Sequence, residues 1–132
     1  MNFFRKKNKV IIEAPKADPT EINPENAADY IKRGYAFYAR KEYAKADEDF
    51  RKAISMDAKS PEAYYALGLN LKVQNNNEEA IEAFQQALNF INTIEEQNVT
   101  RAHMLSRITK GHINQLKKGN WDLRKEFWGT DE

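Results

Sequence analysis

Apolar positions along this chain recur at helical spacing. Between residues 43 and 57, Ala46, Phe50, Ala53 and Ile54 fall at i, i+4, i+7 and i+8. Between residues 78 and 96, Ala80, Ile81, Phe84, Ala87, Leu88 and Ile91 repeat the pattern. The strict apolar–polar alternation of a half-buried strand is absent. Asn23-Pro24 and Ser60-Pro61 each offer a capping side chain followed by proline, whose missing amide costs nothing at the first helical position. Asn77 ahead of Glu78-Glu79 gives a third start, with acids in the first turn. Lys41-Glu42 and Asn75-Asn76 interrupt the pattern where tight turns belong. These signals predict helices over about 24–40, 43–57, 61–74 and 78–96.

The prediction has an internal echo. YIKRGYAFYARKEYAKADEDFRKA, starting at Tyr30, is answered by YYALGLNLKVQNNNEEAIEAFQQA, starting at Tyr64. Gly34 and Gly68 hold the same place in the two stretches and fall inside predicted helices, where glycine costs about 1 kcal/mol relative to alanine. Accepting that cost twice at one period points to close approach of a neighbouring helix. Ala46 and Ala80 keep the same offset from the glycines and are the expected surface of approach. Tyr30, Tyr64, Phe50 and Phe84 are the bulky groups expected around it. One such helix pair cannot bury its apolar face alone, so the copies are expected to stack.

These residues resemble the tetratricopeptide repeat, a helix–turn–helix unit whose period of about 34 residues is the one seen here. The second copy matches at Tyr64, Leu67, Gly68, Leu71, Ala80, Phe84 and Ala87, and the first at Tyr30, Gly34, Phe37, Ala46, Phe50 and Ala53. Arg33 departs from the apolar preference of the family, and Ala58 and Asn92 replace the usual proline between repeats. The last departure predicts a fourth helix that runs on toward Gln97. The resemblance covers about residues 27–94 and implies an all-α fold: antiparallel helix-turn-helix repeats stacked as a short right-handed α-solenoid.

Two repeats fall short of the three or more that usually make a stable stack. Val99 to Lys118 offers a further helix with Ala102, Leu105, Ile108, His112 and Leu116 on one stripe. Ala102 follows Gly68 by one full period, as the first half of a degenerate third repeat would. NWDLRKEFW then reads as a short helix capped by Asn120, whose Trp121, Leu123, Phe127 and Trp128 fold back as a lid on the stack or, alternatively, dock Trp128 onto a second chain. The expected organisation is a flexible basic arm over 1–22, one helical domain over 23–128, and a tail over 129–132. Within the domain, the repeats take about 27–60 and 61–94, and C-terminal capping helices about 97–128.

Composition narrows the function. The chain has 132 residues and no cysteine, which removes disulfides and thiolate metal sites. No apolar run approaches the roughly 20 residues that span a bilayer. Met1 to Lys7 carries charges with no long apolar stretch after them, unlike a secretory signal, and the expected localisation is cytoplasmic. Net charge is +1 but uneven: residues 1–10 carry four basic groups and no acid, 21–98 balance to −5, and 99–128 to +5.

Catalytic constellations are missing. His103 and His112 lie nine residues apart, about 900° around a helix, and so point to opposite sides and cannot share a metal. His112 falls on the apolar stripe as a packing residue, and His103 faces solvent. Ser106 sits a turn from His103 without an orienting carboxylate or an oxyanion hole. Asp47-Glu48-Asp49 is a solvated face, Glu78-Glu79-Glu82 is helix-start charge, and neither has calcium-loop spacing. No glycine-rich phosphate cradle occurs. The expectation is a non-enzyme with no cofactor and no metal.

The resemblance also implies a concave surface lined by the first helix of each repeat and used to hold other proteins. Carried over residue by residue, its groove comprises Ile31, Tyr35, Tyr38 and Ala39 from the first copy, and Glu62, Tyr65, Leu69, Lys72 and Val73 from the second. The tyrosines are stiff amphipathic rings favoured in recognition sites. Alternatively, the C-terminal segment covers these positions and makes them core. The family's carboxylate clamp for chaperone tails would need polar groups where Ile31 and Tyr35 stand, so an apolar or aromatic peptide or helix is the expected guest. The implied function is a protein–protein interaction module: a scaffold, adaptor or assembly factor. The open ends of a two-repeat stack also leave room for a homo-oligomer. The rival class is a peripheral binder of membrane or nucleic acid through the basic ends. Nucleic acid is disfavoured by the near-neutral charge and acidic repeats, and residues 1–10 would give only weak membrane-surface contact.

Overall fold

The computed structural model describes residues 18–92 and 98–121, and no strand occurs among them. A 3-10 turn at Pro19–Glu21 precedes five α-helices: α1 (Ala27–Ala39), α2 (Tyr43–Met56), α3 (Pro61–Val73), α4 (Asn77–Asn89) and α5 (Val99–Lys118). Helices α1 and α2 pack as one hairpin and α3 and α4 as the next; α2 packs on α3, and α5 packs on α4. The expected stack of paired helices is present.

Local chemistry sets the boundaries. Ser60 Oγ accepts from the Ala63 amide at 3.2 Å, with Pro61 at the first helical position, as expected for α3. Helix α1 starts later than Asn23-Pro24 suggested. Asn26 Oδ1 accepts from the Asp29 amide at 2.8 Å, while the Asp29 carboxylate accepts from the Glu25 amide at 3.1 Å. That reciprocal pair satisfies two orphan donors, which a cap at Asn23 would not. Asn98 caps α5 by accepting from the Arg101 amide at 2.9 Å.

The two hairpin turns are copies of each other. Lys41 and Asn75, at equivalent places in the two repeats, both take the left-handed conformation at φ 63°. Beside them, the Glu42 amide donates to the Phe37 carbonyl and the Asn76 amide to the Leu71 carbonyl, each at 2.9 Å.

Helix α4 does not run on unbroken. It ends at Asn89, where the Phe90 amide turns back to the carbonyls of Gln86 and Ala87. The missing proline at Asn92 is thus not what decides the stop. The rest of the expected extension, at 93–97, lies outside the described residues, as do 1–17 of the arm expected over 1–22 and, after Trp121, the rest of the expected short helix with Leu123, Phe127 and Trp128. The last part of the expected arm holds the 3-10 turn, with Pro19 buried.

The core joins both hairpins and α5: Ala46, Phe50, Ala66, Leu67, Leu71, Ala80, Ala83, Phe84 and Ile113 form one cluster. Phe50 and Phe84 are wholly enclosed, each worth ~2–3 kcal/mol of apolar burial. They explain the helical glycines. A Cβ on Gly34 would fall 2.7 Å from Phe50 Cδ1, and one on Gly68 2.6 Å from Phe84 Cδ1. The nearest atoms to each such Cβ belong to the aromatic ring one helix away, and Ala46 and Ala80 are fully buried in the same core.

The joint between repeats has a polar element. Asn70, fully buried in α3, donates from Nδ2 to the Tyr43 carbonyl at the start of α2, at 3.0 Å. Its counterpart in the first repeat is Ala36. The added amide fastens the second hairpin to the first and fixes their register.

Helix α5 lies beside α3 with a shifted register. Arg101 pairs with Glu62, 39 residues back, and Lys72 meets His112, 40 residues on. The periodic equivalence of Ala102 with Gly68 is therefore not kept. Its buried residues are Ala102, Thr109, Gly111, Ile113 and Asn114. Ile108, expected on the buried stripe, is 40% exposed, and Thr109 takes its place by bonding its hydroxyl to the Leu105 carbonyl at 2.6 Å.

Candidate functional site

The first helices of the two hairpins and α5 form three walls of one open cavity of about 630 Å³. Ile31 and Tyr35 come from α1, Glu62 and Tyr65 from α3, and Arg101, Met104, Leu105 and Ile108 from α5. Helical periodicity explains the sharing. Ile31 and Tyr35 are four residues apart, Glu62 and Tyr65 three, and Arg101, Met104, Leu105 and Ile108 fall at i, i+3, i+4 and i+7.

Tyr35 stands edge-on to Phe50 with ring centroids 5.3 Å apart, so the core fixes its orientation while 36% of its surface stays open. Burial raises its hydroxyl pKa well above the ordinary tyrosine value. Tyr65 tilts over Phe84 at 5.8 Å, and burial raises its pKa as well, with Tyr38 adding to the effect. Both rings are neutral donors at physiological pH. The one close charge pair in the cavity wall, Glu62 with Arg101, is internally satisfied. The remaining lining is mainly apolar, and Met104 and Ile108 are exposed within it.

Beyond Tyr65, α5 closes on α3. His112 stacks on Phe84 with centroids 5.1 Å apart and planes 8° from parallel. Lys72 Nζ donates to His112 Nδ1 at 2.9 Å, and Lys72 also bonds to Gln115. A lysine donating to Nδ1 requires that nitrogen to be bare, so the proton sits on Nε2, which donates to the Tyr65 hydroxyl at 3.2 Å. The neutral ring fits its environment: burial first, and the Lys72 charge second, push its pKa down to about 4. Burial also lowers the pKa of Lys72. His112 is the packing residue its stripe suggested, and His103 is exposed.

The nine residues named from sequence divide by place. Ile31, Tyr35, Glu62 and Tyr65 line the cavity. Lys72 is engaged by α5. Tyr38 and Leu69 pack against the core, Tyr38 also meeting Tyr43 edge-on at 5.7 Å. Ala39 and Val73 are exposed at the last turns of α1 and α3 and do not line the cavity. The C-terminal helix thus engages one of the nine positions, Lys72, and supplies a wall to the cavity lined by four others. Arg101, Met104, Leu105 and Ile108 were not singled out for the groove, although their spacing marks a continuous face. Among the described residues no cluster of three or more His, Asp or Glu forms a metal site, and no helix is long and apolar enough to cross a membrane.

Known proteins carry the same pattern. A family model described as TPR repeat matches residues 34–74, and one described as Tetratricopeptide repeat matches residues 61–91. The chain is similar to the small glutamine-rich tetratricopeptide repeat-containing protein 2 of Saccharomyces cerevisiae, at 37% identity over 82 residues. That match covers 62% of this chain and 22% of the yeast protein, so the shared part spans less than a quarter of the relative.

Proposed function

As this chain belongs to the tetratricopeptide-repeat family, a family of protein-interaction modules that are typically non-catalytic, we propose that its cavity holds an apolar or aromatic segment of a partner protein. Its role on this reading is that of a cytoplasmic scaffold, adaptor or assembly factor. The single observation that carries the reading is the exposure of Tyr35, Met104 and Ile108 around one cavity whose close charge pair, Glu62 with Arg101, is already satisfied. A charged guest would have to break that pair, whereas an apolar helix or extended peptide gains contact area without doing so. Tyr35 and Tyr65 add hydroxyl donors that orient the guest.

Affinity purification with the wild-type chain and a Tyr35→Ala/Tyr65→Ala variant tests this, once circular dichroism shows both to be helical. Removing two aromatic anchors is expected to weaken a groove-bound partner by at least ~30-fold, about 2 kcal/mol. Partners retained equally by both chains, or lost as salt rises, place binding elsewhere on the molecule.

A further inference from the structure

The contact that closes α5 on α3 has a direction. Lys72 Nζ stands 2.9 Å from His112 Nδ1, and a charged lysine has donors and no acceptor, so the bond runs one way only. The imidazole proton is left on Nε2, 3.2 Å from the Tyr65 hydroxyl, whose oxygen accepts it. Tyr65 therefore cannot give its own proton to His112. The ring between them is held in place: it stacks on Phe84 with planes 8° apart and meets Trp121 edge-on at 4.7 Å. It is neutral at ordinary pH, its pKa pushed down to about 4 by burial first and by Lys72 second. The first repeat holds Ile31 and Tyr38 where the second holds Tyr65 and Lys72, so the row of bonds belongs to the second hairpin alone.

The free end of that row lies at the cavity. Tyr65 and Tyr35 both line it, whereas Lys72 and His112 do not. Among the described residues, the Tyr65 hydroxyl has no second hydrogen-bond partner and the Tyr35 hydroxyl has none. A guest that drives water out of the cavity must supply acceptors there or leave buried donors unsatisfied. A regular helix is poorly suited to this. Its interior carbonyls already accept along its own axis, and only those of the last turn are open. An extended segment keeps its carbonyls free and still offers apolar side chains to Met104 and Ile108.

On the groove reading above, we propose that Lys72 and His112 fix the Tyr65 hydroxyl as a donor to the guest, and that the guest is an extended apolar segment of a partner protein that turns a backbone carbonyl to Tyr65. Lys72 and His112 are positioning residues: they act through Tyr65 and touch no guest. The lysine charge strengthens the far bond, because each bond in a row polarises the next.

Two probes separate the donor from the apolar surface. N-acetylphenylalanine methylamide is an extended unit with backbone carbonyls, and propylbenzene is a comparable ring without an acceptor. Binding of each to the full-length chain is followed by NMR at the Met104 and Ile108 methyl groups, and the His112 tautomer is read from its ring-nitrogen shifts. The expected wild-type ring is protonated at Nε2 and bare at Nδ1. The preference for the amide over propylbenzene is expected to fall about fivefold in Tyr65→Phe, the worth of one ordinary hydrogen bond. Lys72→Met is expected to lower the preference as well and to bring the Nδ1-protonated ring into view. A wild-type proton on Nδ1, or a preference indifferent to Tyr65→Phe, overturns the proposal and leaves the groove standing. So does a Lys72→Met chain that keeps both the wild-type preference and the wild-type tautomer. Methyl signals that neither probe moves overturn the groove reading and this proposal with it.

Discussion

Arg33 forks onto Asp49, with Nε and Nη2 each 2.8 Å from a carboxylate oxygen. The Asp49 side chain is 6% exposed and that of Arg33 28%. The guanidinium also lies near the rings of Tyr30 and Phe37, at 5.5 and 5.9 Å from their centroids. The equivalent positions of the second hairpin hold Leu67 and Ala83, both buried. One hairpin thus joins its helices by a charged fork and the other by apolar contact. Removing one member of a buried pair strands the other, so Asp49→Ala is expected to cost ~3 kcal/mol in urea denaturation. Arg33→Leu/Asp49→Ala, which transplants the second hairpin's solution, is expected to recover most of that loss. A double variant as unstable as the single one would show that the fork has a role its apolar counterpart does not supply.

The rings over Gly34 and Gly68 oppose the usual rule that alanine improves a helix. Propensity favours Gly34→Ala by about 1 kcal/mol, but the new methyl meets an enclosed phenylalanine. Overpacking costs ~1–3 kcal/mol, so net destabilisation is expected at both positions by thermal melting. Gly34→Ala combined with Phe50→Leu is expected to cost less than the sum of the two single changes, because the smaller side chain vacates the contested space.

The turn residues carry the opposite expectation. Lys41 holds a left-handed backbone that costs a non-glycine residue ~1–2 kcal/mol, and its side chain is exposed. Lys41→Gly is expected to raise stability by ~0.5–1 kcal/mol, partly offset by the greater freedom of glycine in the unfolded chain. Asn75→Gly is expected to gain less, since asparagine tolerates this conformation.

Acidification acts on His112. Its folded-state pKa lies near 4 against an ordinary 6.5, because burial and Lys72 oppose the charged ring. As pH falls, the unfolded chain takes up the proton first. Stability contributed by this group is therefore complete above about 6.5 and declines as pH drops through the window toward about 4. The ring is only half enclosed, so a loss of ~1–2 kcal/mol is expected rather than the full value of the shift. Urea midpoints between pH 7 and pH 4 for wild type and His112→Phe check it: the variant is expected to show the shallower decline.

Much of this was legible because repetition doubles each signal. Four helices, two turns and the glycine period all follow from pairs of residues one repeat apart, and Ser60-Pro61 marks its helix start by local chemistry alone. What could not be read depends on contacts across the fold. Ala46 and Phe50 are both on the buried face of α2, and spacing alone does not tell which one comes nearest to Gly34. Asn23-Pro24 carries a start signal as good as that of Ser60-Pro61, and it lost to the reciprocal bonds of Asn26 and Asp29. The lining of the cavity was legible as far as Ile31, Tyr35, Glu62 and Tyr65, which belong to the repeats. Met104 and Ile108 were hidden because α5 leaves the register of the repeats, so the period could not place them.

The most direct test replaces Tyr35 with a photo-crosslinking phenylalanine analogue, in a chain whose control carries the same group at Met56. Both sites are exposed, but only the first borders the cavity. Irradiation in cell extract is expected to attach a protein to position 35 and not to position 56, with the adduct suppressed by Tyr65→Ala. Equal labelling at both positions, or an adduct at 35 indifferent to Tyr65, would contradict the claim that the hollow between α1, α3 and α5 is where this protein holds its partner.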